Sequence, residues 1–340
     1  MCPGYTYAKA GVDIGKVAKI HRNIDRILTA TYRARRGKVG EVLGVRQHYA
    51  GLVDIGGEFA LAIHTDNVGT KPIIAEAVGK YDTVGVDCVA MNVNDVICLG
   101  AEPIALSNYI ALDRPRPKLV AELMKGIRRG ATQAGVAVVA GETAILPGLI
   151  NGFDLSAAVV GIVRKDKIIT GENTRVGDVV LGLPSNGIHS NGLTLARKLL
   201  LSRRVNIRIA RELLRPTRIY VKPILKLLSA GIEIHGLAHI TGGAYSKLKR
   251  IGERAKVGFR LDHFPDSPSI FKMIQAKGHV SDREMFRTFN MGVGLVVVCP
   301  RRVAARGKAI LPGCKVIGHI TDSKAVTVDL DNREIEIESY

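Results

Sequence analysis

Two carboxylates are the first residues whose types and spacing suggest chemistry. Asp66 lies in the segment TDNVGTK at 65–71, directly after the apolar run 61–63, and Asp95 lies shortly before Gly100. Mg²⁺ takes carboxylate ligands of this kind when water and nucleotide phosphate complete its coordination sphere. The spacing alone also fits two solvated residues at a turn and a helix end, so both interpretations remain open at this point.

The residues after Asp66 predict a phosphate-binding turn. A strand ends in a short stretch that supplies an amide, a glycine, a hydroxyl and an ammonium, from Asn67, Gly69, Thr70 and Lys71. Such groups in one tight turn suit a metal-bound phosphate.

A helix predicted at 83–99 positions the second carboxylate. Five apolar residues fall within about 100° of one another on a helical wheel, while Asp87, Asn94 and Asp95 fall opposite; the five are Val86, Val89, Val93, Val96 and Ile97. Asp82 or Thr83 suits the N-cap and Gly100 suits the stop. The pattern therefore predicts a helix with one core face, one carboxylate face and Asp95 in its last turn.

Further along, turns with polar residues and glycines follow predicted strands. A buried strand predicted at 136–140 presents Glu142, a third candidate metal ligand, and Thr143. The loop 185–192 lies between a strand at 179–183 and a helix at 193–201, so its amides and the helix N-terminus predict an anion site. Glycine-assisted turns also occur at 241–243 and 290–294. As a rough prior, about half of such turns have only a structural role.

His189 lies in this Ser/Asn/Gly loop rather than in an apolar pattern, which makes a buried structural histidine less expected. A ring with an ordinary pKa of about 6.5 could transfer a proton or donate a hydrogen bond to phosphate. A loop-ordering hydrogen bond is the alternative.

Near the N-terminus, Lys9, Gly11 and Asp13 precede a helix predicted at 17–33. This small-residue loop could close over phosphates or be an ordinary mobile N-terminus.

Composition limits the class of protein. The 340 residues are 46% hydrophobic and suffice for two domains, with a boundary predicted near Gly171 that separates 1–170 from 171–340. The net charge of +18 favours anionic small molecules over nucleic acid, because only 5% of residues are aromatic and there is no Trp for base stacking. Apolar stretches end before the roughly 18 residues that a membrane span needs, and five cysteines lack metal spacing, so a cytoplasmic protein is expected.

Several motifs resemble one family of ATP-using enzymes. Asp95 begins a D-x4-G-A-x-P motif, and TDNVGTK is similar to TDGVGTK in the family that contains aminoimidazole ribonucleotide synthetase, selenophosphate synthetase and thiamine monophosphate kinase. Similar blocks in chain order are YAKAGVDI at 7–14, GETAILPG at 141–148, HSNG at 189–192, PTRIYVK at 216–222, HITGGA at 239–244 and FRTFNMGVG at 286–294. Asn67, Ala140 and Ala244 depart from glycines that are usual in the family, and Ile145 and Leu146 alter the stretch after GET.

The resemblance implies an α/β fold with an N-terminal mixed sheet that pairs with a second subunit into a barrel, and a C-terminal three-layer α/β domain. It implies ATP-dependent closure of formylglycinamidine ribonucleotide to aminoimidazole ribonucleotide by a homodimer. The alternatives within this family are selenophosphate synthetase and thiamine monophosphate kinase. The first of these would require a reactive cysteine nearer the loop lysine than Cys2 is. A nucleic-acid-binding protein is an alternative of a different class.

The resemblance also implies roles for individual residues. Mg²⁺ would bind Asp66, Asp95 and Glu142, and His189, Lys71 and Asp95 would be catalytic. ATP would contact Lys9, Gly11, Asp13, Asp66, Asn67, Gly69, Thr70, Lys71, Asn94, Glu142 and Thr143. The ribonucleotide would contact Ser190, Asn191, Thr241, Gly242, Gly243 and Asn290.

Overall fold

The computed structural model describes residues 5–44, 48–201, 205–330 and 333–338. Over this part of the chain the fold is α/β with two sheets, as the sequence predicts. Cys2 lies outside the described residues. Among the helices described, none is both long and apolar enough to cross a membrane.

The first sheet is built from residues 42–164. Its strands are β1 (Val42–Leu43), β2 (Gly51–Asp54), β3 (Phe59–Asn67), β4 (Glu102–Leu112), β5 (Ala137–Ile145) and β6 (Phe153–Arg164). They lie in the order β1-β2-β3-β6-β4-β5, and only the β4–β5 pair is parallel. The predicted strand residues 61–63 therefore belong to a longer strand that carries Asp66 within it.

The second sheet is built from residues 179–336. Its strands are β7 (Val179–Pro184), β8 (Gly236–His239), β9 (Gly258–Leu261), β10 (Val293–Cys299), β11 (Lys315–Thr321), β12 (Val326–Leu330) and β13 (Arg333–Glu336). The order is β13-β12-β9-β11-β7-β10-β8. All of β10 is buried, in keeping with its central run of apolar residues.

Some helices of the described residues pack against the two sheets, and others, such as the first, lie exposed. The helices are α1 (Ile14–Leu28), α2 (Lys71–Val78), α3 (Asp82–Ile97), α4 (Pro117–Ala134), α5 (Leu193–Leu200), α6 (Ile207–Leu213), α7 (Val221–Ser229), α8 (Lys249–Ala255), α9 (Ser269–Gly278), α10 (Asp282–Thr288) and α11 (Arg301–Ile310). The predicted helices at 83–99 and 193–201 are present, with ends shifted by one or two residues. The helix predicted at 17–33 begins earlier, because Asp13 caps α1 by accepting from Lys16 N, and it becomes a 3₁₀ helix at Thr29–Arg35.

Helix α3 differs from its prediction in two ways. Every residue from Thr83 to Ile97 is buried, so the predicted polar face is not open to solvent. The first sheet covers one side, and the loop before α7 covers the other, where Asn94 bonds to Arg218 O and to Tyr220 N at 2.8 and 2.9 Å. The N-cap is Tyr81, without a side-chain bond, since Asp82 pairs with basic neighbours instead.

Helices α3 and α4 touch through their backbones. A Cβ atom added at Gly85 would lie 2.2 Å from Leu123 O, and one added at Gly126 would lie 1.9 Å from Asp82 O. These two glycines permit the close approach that buries α3 completely.

The strand predicted at 136–140 is present as part of β5, but the prediction that it is buried is wrong. Strand β5 is exposed along nearly all of its length because it is the last strand of its sheet, and Val139 is 67% exposed. On β6, buried residues facing α3 alternate with half-buried residues on the opposite face. That opposite face also carries exposed Phe59, Ile63 and Tyr109. The first sheet thus has one helix-covered face and one open apolar face.

Candidate functional site

Asp95, in the last turn of α3, has a buried set of partners. Its Oδ1 atom is 2.6 Å from His239 Nδ1, and its Oδ2 atom is 3.5 Å from His64 Nε2. Burial alone would raise the pKa of Asp95, but the charge of Lys247 and the bond to His239 hold this pKa at about 2. The carboxylate is therefore ionised at neutral pH in surroundings where its charge is poorly screened.

Asp66 lies on the α3 side of β3, close to Asp95. Asn92 fixes the Asp66 backbone, because its Oδ1 accepts from Asp66 N at 3.0 Å and its Nδ2 donates to Asp66 O at 3.2 Å. Burial and the charge of Asp95 raise the pKa of Asp66. His64 Nε2, beside them, makes no hydrogen bond among the described residues. Two neighbouring carboxylates fit a hard cation that takes its other ligands from water and phosphate.

Glu142 does not join this pair within one chain. Asp66 is in register with Ala157, Asn108 and Gly141, whereas Glu142 is the next residue on β5 and points to the opposite face. The two carboxylates are also three strand spacings apart, about 14 Å. Within the described ranges, no three His, Cys, Asp or Glu side chains are arranged to hold a metal ion. The three-carboxylate shell expected from sequence is thus not assembled in a single chain.

Lys71 is engaged inside the protein. Its Nζ atom is 2.6 Å from Asp87 Oδ2 and donates to Arg215 O at 2.8 Å, and both charged side chains are fully buried. Asp87 Oδ1 also accepts from Thr217 N at 2.7 Å and from Ser190 Oγ at 3.1 Å. Lys71 therefore ties the 65–71 turn to two loops of the second half, instead of projecting toward open space.

His189 is completely buried, contrary to the expectation of an accessible ring. It adopts a left-handed backbone with φ 62°, and its Nε2 accepts from Asn186 N at 3.0 Å. Arg218 N approaches the same atom at 3.4 Å. Burial lowers the pKa of His189 well below its usual value, with a further contribution from the charge of His239. The ring is neutral at pH 7 and orders its own loop.

The other predicted substrate residues lie on loops that meet. Asn290 Nδ2 donates to Gly187 O at 2.8 Å, and this hydrogen bond holds the 185–192 loop. Asn191 Oδ1 would lie 3.1 Å from a Cβ atom added at Gly242, so these two loops touch. Asn191 Nδ2 is buried and has no hydrogen-bond partner among the described residues. Gly243 has φ 83°, a left-handed conformation that suits glycine.

The predicted nucleotide turn has a defined local structure. Asn67 Oδ1 accepts from Gly69 N at 2.9 Å, an Asx turn, and Gly69 adopts φ 59°. Thr70 Oγ1 is 3.2 Å from Thr194 Oγ1 on α5, so the turn faces the start of that helix. Asn94, by contrast, uses its amide to bind backbone before α7, and Thr143 lies beyond Glu142 on the exposed β5.

The N-terminal loop is docked on the second half of the chain. Tyr7 N donates to Glu284 Oε1 at 2.8 Å, and Lys198 Nζ donates to Ala10 O at 2.7 Å. Gly11 has φ 106°, and Asp13 is used as the α1 N-cap. Lys9 lies in this loop, where its backbone donates to Thr6 Oγ1.

Sequence reasoning missed His64, His239, Lys247 and the partner role of Asp87. His64 immediately precedes TDNVGTK, and His239 begins HITGGA, so both were present in quoted motifs. A signal for Asp87 existed as well, since it shares the polar side of α3 with Asp95. No sequence pattern indicated Lys247, because it lies 152 positions after Asp95 and comes near it only in the folded chain.

The chain resembles proteins of known family. Residues 47–163 match the N-terminal domain of AIR synthase related proteins, and residues 175–331 match the C-terminal domain. A phosphoribosylformylglycinamidine cyclo-ligase of Pyrococcus furiosus is 54% identical over 86% of this chain and 87% of its own length. That of Methanocaldococcus jannaschii is 46% identical over 94% of this chain and 93% of its own.

Solved structures with similar folds are more distant in sequence. The hydrogenase maturation protein HypE in complex with ATP has a TM-score of 0.66 at 19% identity, covering 86% of this chain and 88% of that one. AaThiL complexed with AMPPCP and TMP has a TM-score of 0.65 at 16% identity, covering 93% and 95%. These two similarities concern the fold alone.

Proposed function

The chain belongs to the AIR synthase related family, and on that premise we propose that it is a phosphoribosylformylglycinamidine cyclo-ligase. The observation that carries the proposal is the 54% identity to a relative of that name, over most of both chains. The reaction converts formylglycinamidine ribonucleotide and ATP to aminoimidazole ribonucleotide, ADP and phosphate in purine biosynthesis. By contrast, AaThiL complexed with AMPPCP and TMP is 16% identical to this chain and shares its fold alone.

The chemistry explains why ATP is consumed. An amide oxygen is a poor leaving group, so the γ-phosphoryl group is first transferred to the formyl oxygen. The neighbouring amidine nitrogen then attacks the activated carbon, and the oxygen leaves with the phosphate. Positioning and charge neutralisation supply most of the rate in such reactions.

We assign the metal and nucleotide side of the site to the first domain, residues 1–170. Asp66 and Asp95 would hold Mg²⁺, which supplies neutralisation of the polyphosphate charge when bound. Nucleotide contacts are proposed for the N-terminal loop and the turn after β3: Lys9, Gly11, Asp13, Asn67, Gly69 and Thr70. Lys71 and Asn94 are proposed to act by fixing the turn and the second domain. Glu142 is proposed to act at the open face of the sheet, and Thr143 on the exposed edge strand β5.

We assign the ribonucleotide side to the second domain, residues 171–340. The unpaired Asn191 Nδ2 supports this assignment, because a buried donor without a partner costs free energy unless a ligand accepts from it. Ser190, Thr241, Gly242, Gly243 and Asn290 would complete or support that surface. His189 would act by holding the loop rather than by proton transfer.

We further propose a homodimer in the cytoplasm. The open apolar face of the first sheet and the exposed edge strand β5 support a second subunit, since a lone sheet with such a face and edge is prone to association. The four described cysteines are free and buried, which suits a reducing compartment. The net charge of +18 suits anionic small substrates.

A coupled assay of ADP release tests the proposal directly. We expect release to require both Mg²⁺ and formylglycinamidine ribonucleotide, with aminoimidazole ribonucleotide formed in equal amount. ADP release that is stimulated by thiamine monophosphate but not by the ribonucleotide would overturn the assignment.

A further inference from the structure

Two cations lie over one aromatic ring beside the candidate site. Lys247 Nζ is 5.1 Å from the centroid of the Tyr49 ring, and Arg250 Cζ is 5.3 Å from the same centroid. Tyr49 is only 4% exposed, so the ring is a fixed platform inside the protein. Lys247 and Arg250 are three positions apart, which brings both side chains to this platform.

Neither cation has a carboxylate partner within 4.0 Å among the described residues. Lys247 donates to the hydroxyl of Thr241, and its charge reaches Asp95 and Asp66 from a longer distance. The Arg250 side chain contacts the Tyr49 ring and makes no hydrogen bond or ion pair among the described residues, and its charge opposes that of Lys247. Lys71 and Arg116, by contrast, are paired directly with carboxylates, Lys71 with Asp87 and Arg116 with Glu76.

Two converging positive charges without a direct counter-ion are typical of a site for a doubly charged anion. Thr241 belongs to the HITGGA segment, which also carries His239, the direct partner of Asp95. The pair of cations therefore borders the candidate metal site on the side of the second domain. Both substrates of the proposed reaction carry phosphate, and neither carries a carboxylate.

We propose that Lys247 and Arg250, placed over Tyr49, form a binding subsite for a phosphate dianion of a substrate. This inference rests on the proposed function, in which the phosphate belongs either to the ribonucleotide's 5′ end or to the terminal group of ATP. Lys247 supplies a point charge and a donor, and Arg250 supplies a planar fork that matches phosphate oxygens. Tyr49 holds both side chains in place by cation–π contact.

Three variants separate binding from structure: Lys247→Met, Arg250→Met and the control Lys249→Met. Lys249 lies between the two positions and is half-buried, and it has no ion pair among the described residues. We expect each test variant to raise the KM of one substrate by about 10-fold or more, as expected for a lost charge-assisted hydrogen bond, while the control changes it less than about twofold. A rise confined to the ribonucleotide identifies its 5′ phosphate, and a rise confined to ATP identifies the terminal phosphate.

Thermal unfolding of the ligand-free proteins distinguishes a merely structural role. Removing Arg250 relieves repulsion with Lys247, so the Tm of Arg250→Met should be equal to that of the parent protein or higher. The Tm increase caused by added inorganic phosphate should be smaller in this variant than in the parent. A lower Tm with both KM values unchanged would overturn the subsite.

Failure of the proposed function gives a different result. If the parent protein releases no ADP with the ribonucleotide, the reaction is misassigned, and calorimetry with inorganic phosphate and with ribose 5-phosphate still tests the subsite. Phosphate binding to the parent protein and Lys249→Met that is lost in Arg250→Met supports the subsite. Equal binding to all three proteins, or binding to none, overturns it.

Discussion

At the scale of single residues, several interactions of the candidate site converge on Asp95. It is ionised despite burial, it is bonded to His239, and it lies beside a second carboxylate. Replacing it with asparagine keeps the shape but removes the charge that would hold the metal ion.

We expect Asp95→Asn to lower kcat by about 10²-fold or more and to weaken Mg²⁺ binding, because the neutral amide oxygen is a poor metal ligand. Isothermal titration of Mg²⁺ in the presence of a non-hydrolysable ATP analogue, together with circular dichroism, checks this. Unchanged Mg²⁺ dependence at full activity would contradict the metal assignment.

The buried Lys71–Asp87 pair predicts a stability effect. Lys71→Met leaves Asp87 charged inside the protein without its cation, which typically costs about 3 to 5 kcal/mol. We expect urea unfolding to show a loss of this size, with the variant still folded in water if the parent protein is stable enough. A small change in the free energy of unfolding with a large rise in the KM for ATP would instead indicate a direct nucleotide contact.

His189 predicts a pH dependence. Its pKa is lowered in the folded protein, so below the ordinary value of about 6.5 the unfolded chain binds a proton that the folded chain does not. This histidine therefore makes the folded state less stable as pH falls through 6.5 toward 5. The free energy of unfolding of His189→Asn should be lower at pH 7.5, and it should fall less steeply over this range than that of the parent. Equal slopes would show that the ring is protonated in the folded state.

At the scale of elements, the sequence predicts where α3 begins and ends, but it does not predict that α3 is buried on all sides. Local periodicity and Gly100 gave its ends to within two residues, because these signals lie in the helix itself. Its burial on all sides depends on loops more than 100 positions away, such as Thr217 against Asp87, and no local pattern encodes them. The same limit explains β5, whose apolar residues indicate burial while its place at the sheet edge exposes them.

The backbone contact between α3 and α4 predicts intolerance to a single methyl group. Gly85→Ala should lower the free energy of unfolding by about 1 to 3 kcal/mol or more, because the new Cβ atom would meet Leu123 O at 2.2 Å. Gly44→Ala is the matched control, since Gly44 is exposed with nothing within 4 Å of its added Cβ atom. If chemical denaturation gives the same midpoint for both variants, the helices are not in the contact described.

At the scale of the whole molecule, the proposed dimer follows from surfaces that one chain leaves uncovered. Light scattering at micromolar concentration should give twice the chain mass. Ile63→Glu, on the open sheet face, should shift the mass toward the monomer and reduce activity, because a charge there would have to be buried. Val176→Glu, at an exposed apolar residue outside the first sheet, should leave the mass unchanged. A parent protein of monomer mass with full activity would contradict the dimer.

The contact between Asp87 and Thr217 also has a consequence for synthesis. Asp87 leaves the ribosome 130 residues before Thr217, the residue whose backbone and hydroxyl it must bind. At a translation rate of roughly 5 to 20 residues per second, about 6 to 26 s pass between the synthesis of Asp87 and that of Thr217, and the polar side of α3 cannot be covered before then. During that interval the first sheet can form, but its central helix retains unsatisfied carboxylates and amides. The nascent N-terminal half is thus expected to complete its fold only after the loop before α7 has emerged.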